Sequence, residues 1–264
     1  MTRIYFIVIF LFLSNLGHGY EALRYQGFFN TGVAWSSTKW PYEKDKWDIT
    51  NKASFAALTN AGLSLGTQFA KEFVFESQIS TNTLAGDVGL VNDYAFLRFQ
   101  PSDHYHVSAG RLRNETLFYS ASEKRSIAHP WTIPPAEVYG INRYDHYEGL
   151  RASGLYSYQN WDFSASLFAG HSKTKQESGS TRDYLGIMGV LIEIDNPVLQ
   201  GQLSYSSYRT NDPDLFWSER RTQELSISLK TDYHGITALT EFMNHTDMNY
   251  ILLILTRHNE RAPV

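Results

Sequence analysis

The chain has 264 residues, with 23 basic and 27 acidic side chains, a formal net charge of −4 and no cysteine. The mildly acidic balance speaks against a nucleic-acid partner, and the lack of cysteine excludes disulfides and thiolate chemistry. Aromatic residues make up 15% of the chain although its mean hydropathy is only −0.34. A membrane β-barrel and a secreted, aromatic-rich β-sandwich both have this composition.

The N-terminus predicts a secretory signal peptide at residues 1–19. Arg3 precedes an uninterrupted apolar run at residues 4–13, which is too short for a membrane-spanning helix of about 20 residues. Small residues around Gly17 and Gly19 form a plausible cleavage site. We therefore expect an exported protein whose mature chain, residues 20–264, is a single β domain.

Alternating apolar and polar residues predict β-strands through the rest of the chain. The alternation is cleanest at 161–167, 199–206 and 224–230, where serine, glutamine and charged residues occupy one face and large apolar residues the other. Two such faces indicate two different solvents. The predicted strands are 24–35, 54–69, 72–81, 93–100, 104–113, 149–158, 161–171, 183–194, 198–209, 221–231 and 235–244, with a twelfth near 250–256.

The connections between these strands alternate between short and long. Tight turns separate some pairs, whereas polar stretches join the others, at 36–53, 82–92, 114–148, 172–182 and 210–220. An up-and-down outer-membrane barrel has short turns on its periplasmic side and long loops outside, whereas a Greek-key sandwich has no reason to keep this order. The predicted fold is therefore an all-β, antiparallel, up-and-down transmembrane barrel.

The connection 114–148 is unusual because its 35 residues are rich in apolar and aromatic side chains and contain three prolines. Loops of this length are commonly functional or disordered, and the apolar content argues against disorder. We expect the loop to fold inward and pack on the barrel interior. The residues predicted to pack it are Trp131, Pro134, Pro135 and Tyr139.

A block of residues around this loop resembles the Gram-negative general porins. The block comprises Ala109–Arg113, Phe118–Ser120, Pro130–Trp131 and Pro134–Gly140, and the resemblance covers roughly residues 55–245. It implies a homotrimer of sixteen-stranded barrels in the outer membrane. In that family the third loop folds inward and narrows a passive channel for small hydrophilic solutes and ions.

The chain departs from the porin pattern at its C-terminal end. It has room for only eleven or twelve strands, and residues 256–264 are charged and contain a proline, which suits a pairing strand poorly. One interpretation is a sequence truncated or frame-shifted near residue 245, which would leave about four strands missing. The other is a complete twelve-stranded barrel with a narrower lumen.

A pore selects solutes through the charges at its narrowest part. Four arginines in or beside the strands that flank the long loop are candidates for a basic wall: Arg98, Arg111, Arg113 and Arg151. Arg111 and Arg113 are the strongest candidates because they share a strand face and lie in the porin-like block. The loop offers charges of both signs: Glu115, Glu123, Lys124, Arg125, Glu137, Arg143, Asp145 and Glu148.

No residue pattern indicates an enzyme, a cofactor or a metal. His104 and His106 have a spacing that a metal could use, but their position at an aromatic turn favours an interfacial role. The expected partners are outer-membrane lipid, two further copies of the chain and small solutes. Two other functions remain open: a non-conducting barrel that displays loops 36–53 and 172–182, and a soluble secreted β protein that binds carbohydrate.

Overall fold

The structure is a computed structural model, and it describes residues 23–39, 49–55, 58–84, 87–120, 139, 144–175, 180–211, 219–233, 236–246 and 248–257. Twelve strands form one sheet in which every strand pairs with its neighbours in sequence. The strands are β1 Arg24–Asn30, β2 Asn60–Ala70, β3 Phe73–Leu84, β4 Asp87–Ser102, β5 Tyr105–Arg113, β6 His146–Tyr158, β7 Trp161–Lys175, β8 Thr181–Asp195, β9 Leu199–Asn211, β10 Glu219–Tyr233, β11 Ile236–His245 and β12 Met248–Arg257.

The all-β, antiparallel, up-and-down prediction is confirmed, because each neighbouring pair runs antiparallel and no strand order is exchanged. The twelfth strand expected near 250–256 is present as β12 and pairs with β11 along its whole length. β1 and β12 are the edges of the sheet, and no ladder joins them among the described residues. Over the same residues, no helix has the length and apolar character needed to cross a membrane.

Two predicted connections differ from the structure. The long loop expected at 82–92 is wrong, because β3 and β4 continue to Leu84 and Asp87 and pair up to that point. The β-branched residues on both sides of this connection extend the ladder almost to the turn. Conversely, the predicted strand ends at 31–35 and 54–59 lie outside β1 and β2, and one isolated bridge joins Ala34 to Ser54.

The two faces of the sheet have opposite character. On β9 and β10, Ser204 and Ser226 are 4% and 1% exposed, whereas the apolar neighbours Leu203 and Ile227 are 38% and 47% exposed. Because successive side chains point to opposite faces, one face is polar and buried while the other is apolar and exposed. A soluble sandwich would bury the apolar face, so this arrangement contradicts that fold.

The polar face is the concave one, because it encloses a connecting segment. The residues after β5 contact β6, β9, β10 and β11 on that face. Strands six positions apart in the sheet can reach one short segment only if the sheet curves around it. We call the polar face the inner face, and we call the described residues 114–120, 139, 144 and 145 of the connection between β5 and β6 the inner loop.

Candidate pore lining and inner loop

The base of the inner loop is closed by one asparagine. The backbone N–H of Asn114 donates to the carbonyl of Asp145 at 3.0 Å, and its side-chain amide donates to the carbonyl of Tyr144 at 3.2 Å. Asn114 is 4% exposed, so these bonds lie away from solvent. The loop therefore leaves and re-enters the wall at one point, directly above β5 and β6.

From this base, the first residues of the loop run across the inner face to strands far along the chain. The Gln202 side chain on β9 donates to the carbonyl of Glu115 at 2.7 Å, and the Ser226 hydroxyl on β10 donates to the carbonyl of Thr116. A buried backbone carbonyl without a hydrogen-bond donor costs free energy. The side chains of Gln202 and Ser226 supply donors for two carbonyls of the loop, which lies outside the sheet.

Glu241 on β11 holds two separate parts of the inner loop. Its Oε1 accepts from the backbone N–H of Phe118 at 3.2 Å and from the Tyr139 hydroxyl at 2.9 Å. The Ser228 hydroxyl lies at 3.4 Å from the same oxygen. Glu241 and Tyr139 are both 0% exposed. We call these four residues the Glu241 junction.

The phenol of Tyr139 can serve as a donor in this junction. Burial, together with the neighbouring Glu241 charge, raises the pKa of Tyr139 far above its usual value. The hydroxyl therefore keeps its proton. Tyr139 also packs against Leu117, which is 1% exposed, so an apolar contact supports the polar one.

Arg151 on β6 connects the other side of the loop to the wall. Its guanidinium forms an ion pair with Glu115 and donates to the carbonyl of Arg113 at 2.9 Å and to the Tyr147 hydroxyl at 3.1 Å. With its side chain 12% exposed, Arg151 is held in a fixed direction by three partners. Planar guanidinium groups suit this kind of multiple recognition.

Further charges lie on the wall formed by β3, β4 and β5. Arg98 faces Glu76 at 3.5 Å, and Arg113 approaches Asp93 at 3.9 Å. Asp93 is held by Gln78 and Ser80 on β3, at 2.7 and 2.9 Å. Basic and acidic groups thus alternate on this side of the inner face. The inner face therefore carries both signs of charge on this side rather than one.

An aromatic cluster also occupies the inner face, beside the base of the loop. Tyr144 lies 5.3 Å from Tyr184 and 5.4 Å from Tyr208 between ring centroids. Tyr208 donates to the buried carboxylate of Glu224. The remaining members are Leu112, Tyr147, Phe168, Ile187 and Leu191. This cluster replaces water with side chains over β5 to β9, and the sequence analysis did not predict it.

The structure places only part of the predicted site residues together. Arg113, Glu115, Arg151 and Tyr139 contact the inner loop or its base, and Arg98 lies on the neighbouring wall. Asp145 contributes its backbone carbonyl at the loop base. The other loop candidates lie outside the described residues: Glu123, Lys124, Arg125, Trp131, Pro134, Pro135, Glu137 and Arg143.

Arg111 and Glu148 occupy a different face. Arg111 pairs across the ladder with Glu148, which in turn pairs with His171. Arg111 and Glu148 form an ion pair at 2.8 Å, and their side chains are 28% and 50% exposed. Their neighbour in sequence, Leu112, is 3% exposed and belongs to the inner cluster. Because strand side chains alternate, the Arg111 row points outward, away from the inner loop. Arg113, the last residue of β5, departs from this alternation, since its guanidinium approaches Asp93 and lies over the Tyr94 ring at 4.7 Å. The expectation that Arg111 and Arg113 share a face is therefore wrong.

Sequence reasoning missed Glu241 and Gln202, although a signal for both exists. Each is a polar residue on the polar side of an alternating strand, in register with serines of the neighbouring strand. Among the described residues, no group of three or more His, Asp or Glu side chains could hold a metal ion.

The chain is similar to some solved outer-membrane proteins in structure but not in sequence. No family and no curated protein matches the chain. Salmonella typhi OmpF in complex with daunomycin is 12% identical, with a TM-score of 0.42 over 84% of this chain and 78% of that chain. The anion-selective porin from Comamonas acidovorans is 12% identical, with a TM-score of 0.38 over 89% and 83%.

OmpT, an outer membrane protein of Vibrio cholerae solved in its trimer form, is 6% identical, with a TM-score of 0.40 over 89% of this chain and 81% of that chain. All three scores lie below 0.5. The description of this chain as an up-and-down sheet with a polar concave face therefore depends on its own strand register and burial, given above.

Proposed function

We propose that this chain forms a β-barrel in the outer membrane of a Gram-negative bacterium and conducts small hydrophilic solutes and ions passively. The observation that carries the proposal is the reversed distribution of polarity, with buried serines, glutamines and ion pairs inside and exposed leucines, isoleucines and tyrosines outside. Hydrocarbon around a water-filled lumen explains both faces at once.

The inner loop is the proposed constriction. Its contacts with β6, β9, β10 and β11 cover that side of the inner face, so the open cross-section lies toward β2, β3 and β4. On that side Glu76 and Arg98 are each about a third exposed, at 31% and 29%. We propose that solutes pass between these charges and the Arg151–Glu115 pair, and that the field between them sets ion preference.

Electrical recording in planar lipid bilayers tests this proposal. The purified, refolded protein should give discrete conductance steps whose size scales with the salt concentration. A second candidate, a barrel without conduction, is favoured by the aromatic cluster, which fills part of the inner face. Insertion without any defined steps would support this second candidate and contradict the first.

The homotrimer implied by the porin resemblance belongs to the same proposal. The outward face of β5, β6 and β7 carries the small residues Ala109, Ala152, Gly154, Ala165 and Ala169. Small side chains allow two membrane segments to approach closely. The mass of the detergent-solubilised protein by light scattering should equal three chains; a single-chain mass in mild detergent would contradict the trimer.

A further inference from the structure

A cavity opens at the turn end of β2, β3 and β4, on the side of the inner face toward which the open cross-section lies. Its volume is about 510 Å³, which suits a small solute rather than a folded partner. Three basic and three acidic side chains line it: Arg24, Lys71, Arg98, Glu72, Glu76 and Asp103. The cavity therefore offers ionic partners of both signs.

One cross-strand row places opposite charges on the two sides of a gap in this cavity. Arg24 pairs with Gly66 in the β1–β2 ladder, and Gly66 pairs with Glu76 in the β2–β3 ladder. Residues that pair directly share a face, and Glu76 lies on the inner face because Gln78, two residues along the strand, is buried there. Neighbouring strands are about 4.8 Å apart, so the backbones at Arg24 and Glu76 are roughly 10 Å apart. Gly66 adds no side chain between them.

The carboxylate of Glu76 keeps capacity for a cation from outside the chain. Its partner Arg98 lies 3.5 Å away, whereas charge-assisted N–H···O hydrogen bonds are about 2.7–2.9 Å long. The Arg98 guanidinium lies over the Phe96 ring, 5.4 Å from its centroid, and the Arg98 Nε has no hydrogen-bond partner among the described residues. Arg98 therefore attracts Glu76 by charge without saturating its oxygens, and the Glu76 side chain is 31% exposed.

The basic end of the row is open to solvent. Arg24 is exposed, and it lines the cavity together with Lys71 at the β2–β3 turn. The Gln100 N–H donates to the Glu72 carbonyl at 2.7 Å, which holds β4 against that turn. The cavity wall is thus hydrogen-bonded across its turn end, so its charges are held in place before a solute arrives.

The balance of charge selects the kind of solute. A simple anion would meet three carboxylates in the cavity, and a simple cation would meet three basic groups. A solute with one charge of each sign can place both against groups of the opposite sign. An extended dipeptide spans at most about 7 Å, which fits the gap of roughly 10 Å between the backbones at Arg24 and Glu76.

We propose that this cavity binds short zwitterionic peptides, with the solute carboxylate on Arg24 and the solute ammonium group on Glu76. The inference rests on the proposed channel function, because it names the class of solute that the channel takes at its turn end. Binding is weak, since a pore must release what it binds. Guanidinium groups suit a carboxylate because their paired N–H donors match its two oxygens.

Ligand-observed NMR on the folded full chain in detergent tests this site without requiring conduction. Saturation-transfer titrations compare alanyl-alanine with three capped forms. N-acetyl-alanyl-alanine keeps only the carboxylate, alanyl-alanine amide keeps only the ammonium group, and N-acetyl-alanyl-alanine amide has neither. We expect alanyl-alanine to bind in the millimolar range and the doubly capped form to bind roughly tenfold more weakly. Equal binding of these two to the unmodified protein would overturn the proposal.

Two variants test the orientation of the bound peptide. Arg24→Gln should weaken alanyl-alanine binding about threefold to fivefold and leave alanyl-alanine amide unchanged. Glu76→Gln should weaken alanyl-alanine binding by a similar factor and leave N-acetyl-alanyl-alanine unchanged. Lys173→Gln is the matched control, because Lys173 lies at the loop end of β7 with its side chain 63% exposed. An equal loss in Lys173→Gln, or a loss in Arg24→Gln that is the same for the dipeptide and its amide, would overturn the proposal.

Two further measurements keep the result decisive. Circular dichroism checks that each variant is folded, and the capped peptides on the unmodified protein decide the question if Glu76→Gln is not. Bilayer recording separates the two proposals. Dipeptide binding without conductance steps would support the cavity site and overturn the channel, whereas steps without dipeptide binding would support the channel and overturn the cavity site.

Discussion

At the scale of single residues, Glu241 connects parts of the chain that are far apart in sequence. It is buried, and it accepts from Phe118 and Tyr139 on the inner loop as well as from Ser228 on the wall. A buried carboxylate is stable only when donors surround it, and here the loop supplies two of them. Loop position and carboxylate burial therefore depend on each other.

Replacing Glu241 by alanine should release the inner loop. Two donors, the Phe118 N–H and the Tyr139 hydroxyl, would lose their shared acceptor, which should destabilise the folded state by about 2–4 kcal/mol. The channel current should become larger and noisier. Urea unfolding and single-channel recording measure these effects. Glu193→Ala is the control, because Glu193 accepts from Ser164 on the wall and has no hydrogen bond to the described residues of the inner loop.

Arg151 should control ion preference more strongly than Arg111. Arg151→Gln removes a positive charge that faces the inner loop, so the reversal potential in a salt gradient should shift toward cation preference. Arg111→Gln removes the same charge from the outward face, where Arg111 pairs with Glu148 and Glu148 also lies 3.6 Å from His171. Equal shifts in the two variants would contradict the different placement of these arginines.

At the scale of strands, three glycines occupy one cross-strand row of the sheet. Gly110, Gly149 and Gly170 pair directly across β5, β6 and β7. A Cβ built on Gly149 would lie 2.0 Å from the carbonyl oxygen of Ala169 and 2.7 Å from the Cα of Gly170. Both obstacles are backbone, so neighbouring strands approach too closely here for any side chain.

Gly149→Ala should therefore disrupt the β6–β7 ladder. Overpacking against rigid backbone typically costs about 1–3 kcal/mol, and we expect at least that loss in urea unfolding of the refolded protein. Gly66→Ala on β2 is the matched control, because the nearest atom to its added Cβ is 3.8 Å away. Similar stability of the two variants would show that the close approach at Gly149 relaxes at no cost.

At the scale of the whole molecule, the proposed membrane placement implies that stability comes from two solvents rather than from one apolar core. The outward leucines and isoleucines need hydrocarbon, and the inner hydroxyls and carboxylates bond to one another and to the inner loop. Backbone groups in the membrane must all be paired. β1 and β12 each have one neighbouring strand among the described residues. A further strand would therefore have its largest effect on stability if it paired with one of these two edges.

The membrane placement predicts a depth-dependent cost along β10. Ile227→Arg, near the middle of the outward apolar band, should destabilise folding into phosphatidylcholine vesicles by about 2–4 kcal/mol. Thr231→Arg, on the same face near the turn end, should cost no more than about 1 kcal/mol. Urea titration of vesicle-folded protein measures both. A cost that does not differ between these depths would contradict the proposed membrane position.

The sequence by itself determined the fold class and most strand positions. Period-two alternation in segments such as 224–230 predicts which residues share a face of the strand. The prediction requires only the order of neighbouring residues in the chain. Alternation does not account for β12, whose residues 251–255 are all apolar. Sequence reasoning failed at 82–92, where the β3–β4 ladder continues to Leu84 and Asp87, because ladder length depends on what the partner strand offers.

Only the tertiary structure decided which charges meet the inner loop. Glu241 and Gln202 reach residues 118 and 115 because the sheet curves, and curvature is a sum of small twists that no local pattern contains. The outward direction of Arg111 followed from its register with Glu148, whereas the sequence offered two arginines at equivalent spacing. Strand faces are thus local properties, while contacts between distant strands and the inner loop depend on the curvature of the whole sheet.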